Sequence, residues 1–164
     1  MSAEKNQNTD IHLQAGDIYF GEAPAHIKTL LGSCVAVTVW HAQLKVGGIC
    51  HYLLVSTTEL KIPELGAKYV NSYRYALPAL EYLYRRMLKH APAEEYEICL
   101  FGGSNMYSHS VTPTIGENNI AFAQQWLKQH KLTVKKSDVL GDICRTISFN
   151  LASGQVIVKQ YSEM

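Results

Sequence analysis

The sequence predicts an α+β domain built of layered mixed or antiparallel β-sheets, sandwich-like, with helices packed on the outside. Three observations carry that expectation. Short β-branched runs joined by tight connections come first, two stretches with helical spacing follow, and a closing pair of apolar runs meets at Ala152-Ser153-Gly154. With 164 residues, 47% of them hydrophobic and 18% charged, the chain has the size of one compact domain with one shared core.

Residues 1–10 are polar and read as a flexible tail, leaving residues 11–164 as the single domain. Ile11 to Phe20 is broken by Ala15-Gly16-Asp17 and reads as a short strand, a turn and another strand. Cys34 to Trp40 and Val46 to Val55 are apolar runs separated by the short connection His41 to Lys45, which predicts an antiparallel hairpin of buried strands. Ser56 to Gly66 holds Pro63 and reads as a loop. Ala67 to His90 has helical spacing at Tyr69, Tyr73, Leu77, Leu80, Leu83, Tyr84, Met87 and Leu88, with Pro78 predicting a kink or a division. Tyr96 to Phe101 reads as a core strand ending in Gly102-Gly103, and Glu117 to His130 as a second helix with Ile120, Ala123, Trp126 and Leu127 on one face. Leu132 to Lys136, Cys144 to Leu151 and Gln155 to Tyr161 read as strands.

Composition removes several function classes. Fifteen Lys+Arg against fourteen Asp+Glu give a net charge of +1, scattered along the chain, so no nucleic-acid partner is expected. No apolar run approaches the ~18 residues of a membrane span, and the start lacks a secretory signal, so the chain is expected to be cytoplasmic and not membrane-inserted. Cys34, Cys50, Cys99 and Cys144 lie far apart without a C-x-x-C pair, which predicts reduced thiols rather than a disulfide framework. The same spacing lacks the short ligand pairs of a zinc site, and no Gly-rich phosphate loop occurs, so no metal and no cofactor are expected. His12, His26, His41, His90, His109 and His130 read as surface or loop residues.

Cys34 follows a glycine and a serine where an apolar strand begins, which sets a thiol at a sheet edge. Attack by sulfur needs the thiolate, so catalysis there calls for a base or positive charge that lowers a pKa of roughly 8.5. His51, on the next strand of the hairpin, is the candidate base. A packing role for Cys34 and a carbonyl partner for His51 are the alternative readings. Cys50, adjacent to His51, points to the opposite face and reads as core, as do Cys99 and Cys144.

Thr29-x-x-Gly32-Ser33-Cys34-Val35-x-Val37, then His51 in a Gly-Gly-x-x-His setting, resembles the signature of the chemoreceptor glutamine deamidases, the CheD family. Lys68-Tyr69, Phe101-Gly102-Gly103-Ser104-Asn105-Met106, Ile115-Gly116-x-x-Asn119, and Gly141 to Arg145 continue the resemblance in order over roughly residues 12 to 161. The resemblance implies an amide hydrolase of chemotaxis signalling that converts glutamines of methyl-accepting chemoreceptors to glutamates through a Cys thioester. It implies a site of Cys34 as nucleophile, His51 as base and Thr29 as orienter of the imidazole, Thr29 having a structural role in a strand as its alternative. The N–H groups of Ser33 and Cys34 are candidates for binding an oxyanion. Gly102, Gly103 and Ser104 either line the same cleft or form a tight turn. Asn105 and Arg145 either contact substrate, or Arg145 pairs with a carboxylate such as Asp142. A monomer is expected. The family also resembles proteins that dock on CheC-type phosphatases, so a regulatory binding module is the rival reading. An enzyme needs Cys34 accessible with a lowered pKa, whereas an adaptor tolerates Cys34→Ala.

Overall fold

The computed structural model describes residues 9–56, 72–106 and 113–162. Strands β1 (Thr9–His12), β2 (Ile18–Glu22), β3 (Ala25–Leu31), β4 (Val35–His41) and β5 (Val46–Tyr52) come first. Helix α1 (Ala76–His90), β6 (Glu97–Gly102), α2 (Ile115–Gln129), β7 (Val134–Val139), β8 (Cys144–Asn150) and β9 (Val156–Tyr161) follow. They form two mixed sheets, one in the order β1-β3-β8-β9 and one in the order β2-β5-β4-β6-β7. Pairings β1/β3 and β6/β7 are parallel, and the others are antiparallel.

Two cores explain the sequence patterns. Ile27, Leu31, Ile147 and Phe149 of the four-stranded sheet meet Ala36, Trp40, Ile49 and Phe101 of the five-stranded sheet between the layers. The other face of the five-stranded sheet, with Val35, Val37, Val39, Ile98 and Leu100, receives Leu80, Leu83 and Met87 of α1 and Ile120, Trp126 and Leu127 of α2. Strands β4 and β5 are buried at every position and therefore read as unbroken apolar runs. Strand β3 has a wet outer face and alternates, with Ala25, Ile27, Thr29 and Leu31 turned inward.

Several boundaries depart from the sequence expectation. Thr9 and Asp10, read as tail, pair with Ala25 and His26 in β1. Strand β3 was not expected, although its alternation is present in the sequence. Among the described residues the first helix begins at Ala76, after a bridge between Leu54 and Tyr75. Pro78 lies in its first turn, where an amide proton has no intrahelical partner, so neither a kink nor a division follows. Pro63, Lys68, Tyr69 and His109 lie outside the described residues. Helix α2 starts earlier than expected, at Ile115. Thr114 accepts from Glu117 N while the Glu117 carboxylate accepts from Thr114 N, a capping box that the Thr-x-x-Glu spacing already carried. His41 is not at the surface: it is buried at the end of β4 with Nε2 2.8 Å from Glu95 Oε1.

Candidate active site

The β4–β5 hairpin pairs Ala36 with His51 and Val35 with Tyr52. Extended one residue, that register sets Cys34 beside Leu53, with His51 as its diagonal neighbour on the same sheet face. Cys34 packs against the inter-sheet core together with Ala36 and Ile49, while Cys50 sits in the other core, as strand alternation requires. Cys34 is half-buried and His51 is buried.

Thr29 reaches the imidazole from the opposite sheet. Its Oγ1 donates to Leu13 O at 2.7 Å and lies 2.7 Å from His51 Nδ1. A hydroxyl has one proton, and Leu13 O, which can only accept, takes it. His51 Nδ1 must therefore donate to Thr29, which leaves the lone pair on Nε2. The His51 carbonyl accepts from Gly16 N at 2.8 Å, fixing the backbone beneath the ring. A neutral imidazole with an oriented tautomer and its lone pair on Nε2 is the form a general base needs.

Thr29→Val is expected to remove that orientation and lower turnover about 10- to 100-fold. The loss should fall on kcat, with the protein still folded. Steady-state kinetics with a KM change and an unchanged kcat would refute the orienting role.

Burial pulls the His51 pKa down from 6.5 to about 4, partly opposed by the charge of Asp17. Burial also pushes the Cys34 thiol up, with the residue's own backbone N–H offsetting part of the rise. Burial thus favours the neutral form of both groups. The lowered thiol pKa that an enzyme calls for runs against this burial, because a low-dielectric site penalises the charged form.

The same burial gives a pH dependence. His51 is neutral in the fold and protonates near 6.5 when unfolded, so its contribution is fully present above 6.5 and disappears as pH falls toward 4. Between pH 7 and 4.5 the loss should be roughly 2–3 kcal/mol. Urea midpoints of wild type and His51→Ala measured at both pH values check this. Equal falls in the two proteins would remove His51 as the source.

The remaining expected residues hold the frame. Gly103 N donates to Cys34 O at 2.9 Å, Ser104 N to Gly32 O at 3.0 Å, and Leu140 N to Gly102 O at 2.8 Å. Ser104 is fully buried; its hydroxyl donates to Ile143 O at 2.5 Å and accepts from Arg145 NH1 at 2.7 Å. Those bonds occupy the Gly103 N–H, the Ser104 N–H and the Ser104 hydroxyl within the fold, so this segment seats the Cys34 backbone. Arg145 is buried and pairs with Asp138 at 2.8 Å rather than with Asp142, and its NH2 donates to Leu140 O at 2.7 Å. Asn105 N donates to Gly141 O at 2.7 Å. Ser33 contributes its carbonyl as an acceptor for Asn119 Nδ2 at 3.0 Å. Asn119 is a site residue to which sequence reasoning gave no role, although its Ile-Gly-x-x-Asn motif stood out.

No group of three or more His, Cys, Asp or Glu suited to a metal occurs among the described residues. No helix among them is long and apolar enough to cross a membrane.

A two-sheet α+β fold with a thiol and a threonine-oriented imidazole on its inner face has the side-chain set of the cysteine-dependent hydrolases. The family model described as CheD chemotactic sensory transduction matches residues 63–160. The chain belongs to the CheD family. A Chromobacterium violaceum relative, named probable chemoreceptor glutamine deamidase CheD 1, is 38% identical over 157 residues, covering 93% of this chain and 78% of the relative. Relatives named probable chemoreceptor glutamine deamidase CheD occur in Pseudomonas syringae pv. tomato, 36% identical over 92% of this chain and 88% of theirs, and in Methanococcus maripaludis, 34% identical over 94% and 97%.

Proposed function

We propose that this protein hydrolyses side-chain amides of glutamine residues on methyl-accepting chemoreceptors, giving glutamate and ammonia, with Cys34 as nucleophile. The observation that carries the reading is the Thr29–His51 hydrogen bond, because it leaves the imidazole lone pair on Nε2, on the sheet face that also bears Cys34. The names of the relatives supply the substrate class.

His51 Nε2 takes the Cys34 thiol proton as sulfur attacks the amide carbon, and the C=O electron pair moves onto oxygen. The N–H groups of Ser33 and Cys34 donate to no other backbone carbonyl among the described residues and are the donors for that oxyanion. Collapse reforms C=O and breaks C–N, the imidazolium proton going to the departing nitrogen as ammonia. Water, deprotonated by His51, then attacks the thioester; the acid leaves and the thiol is restored. Every proton moves between this chain, substrate and water, so the reaction as written uses no cofactor, and we place it in the cytoplasm on a monomer.

The test is ammonia release, with a one-dalton mass gain, from a chemoreceptor fragment mixed with the reduced, folded protein. Gain at specific glutamines supports the reading. No gain with several receptor fragments would sink it and leave docking on a CheC-type phosphatase as the function to measure.

A further inference from the structure

We propose that Asn119 is a positioning residue that aims the oxyanion-binding Cys34 amide. The proposal rests on the deamidase site described above. Asn119 lies near the start of α2 and is 1% exposed. Its Nδ2 donates to two backbone carbonyls, Ser33 O at 3.0 Å and Leu53 O at 2.7 Å. Both partners only accept, so the orientation of the side-chain amide follows from chemistry.

The Ser33 carbonyl belongs to the peptide unit whose N–H is that of Cys34. In a planar trans peptide these two groups point in opposite directions. Holding the carbonyl against Asn119 therefore turns the Cys34 N–H away from α2, and a hydrogen bond at the carbonyl also polarises the peptide and strengthens its N–H as a donor. The second bond, to Leu53 O, ties the chain just beyond His51 to the same side chain. One amide thus spans the chain on both sides of the thiol–imidazole pair. It is itself anchored, because the Tyr52 hydroxyl donates to the Asn119 backbone carbonyl at 2.5 Å. Asn119 Oδ1 is buried and has no hydrogen-bond partner among the described residues.

The experiment compares two reactions of Cys34 in the full chain. Acylation by p-nitrophenyl acetate passes through a tetrahedral oxyanion, whereas alkylation by iodoacetamide is a direct displacement without one. In Asn119→Ala, acylation should fall about 100-fold while alkylation and its pH profile stay within about twofold of wild type. Should Asn119→Ala fail to fold, Asn119→Ser, with a shorter donor that cannot span both carbonyls, carries the same comparison. Unchanged acylation, or acylation and alkylation falling together, would overturn the proposal. A wild type that modifies no receptor glutamine, yet shows the expected split between the two reactions, would sink the deamidase reading and leave the role of Asn119 standing.

Discussion

Cys34→Ala is expected to abolish glutamine deamidation, with a loss on the order of 10⁴-fold or more, while the protein stays folded. In the proposed mechanism Cys34 is the nucleophile, so its removal closes the covalent route and leaves His51 no thioester to hydrolyse. Stability should change little, because Cys34 is half-buried at the start of β4 and its backbone bond to Gly103 N does not depend on the side chain. Cys50→Ala is the matched control. That thiol is fully buried in the helix-facing core, and burial pushes its pKa up to about 12, so it is neither reachable nor ionised. Its loss should lower stability by about 1 kcal/mol and leave deamidation intact. Ammonia release and mass gain on a receptor fragment, with melting temperatures alongside, measure both. Retained activity in Cys34→Ala would exclude the thioester mechanism.

Gly102→Ala is expected to be strongly destabilising. Gly102 has φ +105°, and a Cβ there would lie 2.2 Å from the carbonyl oxygen of Cys34. Neither problem can be relieved locally: the φ is one that L residues rarely adopt, and the obstructing atom is backbone held by Gly103 N. Strain and overpacking together should cost roughly 2–5 kcal/mol. In a chain of this size that lowers Tm by roughly 5–15 °C. The displaced atom belongs to Cys34, so residual folded protein should also lose activity. Gly141→Ala separates the two causes, since Gly141 has φ +83° and nothing within 4 Å of the added Cβ. It should show the strain alone, about 1 kcal/mol. Equal melting temperatures for the two variants would show that contact with Cys34 is not what makes Gly102 necessary.

Much of the architecture was legible because it is encoded locally. The runs around β4 and β5, the turn at Ala152-Ser153-Gly154 and the apolar face of α2 are patterns within one element or between adjacent ones. Where local reading failed, the deciding contact was distant. Helix α1 starts at Ala76 because residues Leu54 and Tyr75 bridge ahead of it, although helical spacing extends further back. Arg145 selects Asp138 on β7 over the nearer Asp142, since the former is aligned with a guanidinium that also binds Ser104 and Leu140. The capping box at Thr114 and the alternation of β3 are likewise local patterns present in the sequence.

For the site, sequence alone determined that Cys34 and His51 belong to one hairpin and that Cys50 faces away, because side chains alternate along a strand whatever surrounds it. Only the tertiary structure decided how those groups are tuned. Thr29 meets His51 across two different sheets, and the proton donated to Leu13 O sets the tautomer of the ring. Asn119 joins Ser33 to Leu53 from a helix remote in sequence. Burial between the layers raises the thiol and lowers the imidazole, which residue types alone do not reveal. The physical reason is the same in each case: covalent spacing orders neighbours along a strand, whereas hydrogen-bond direction and desolvation depend on what the other layer brings against them.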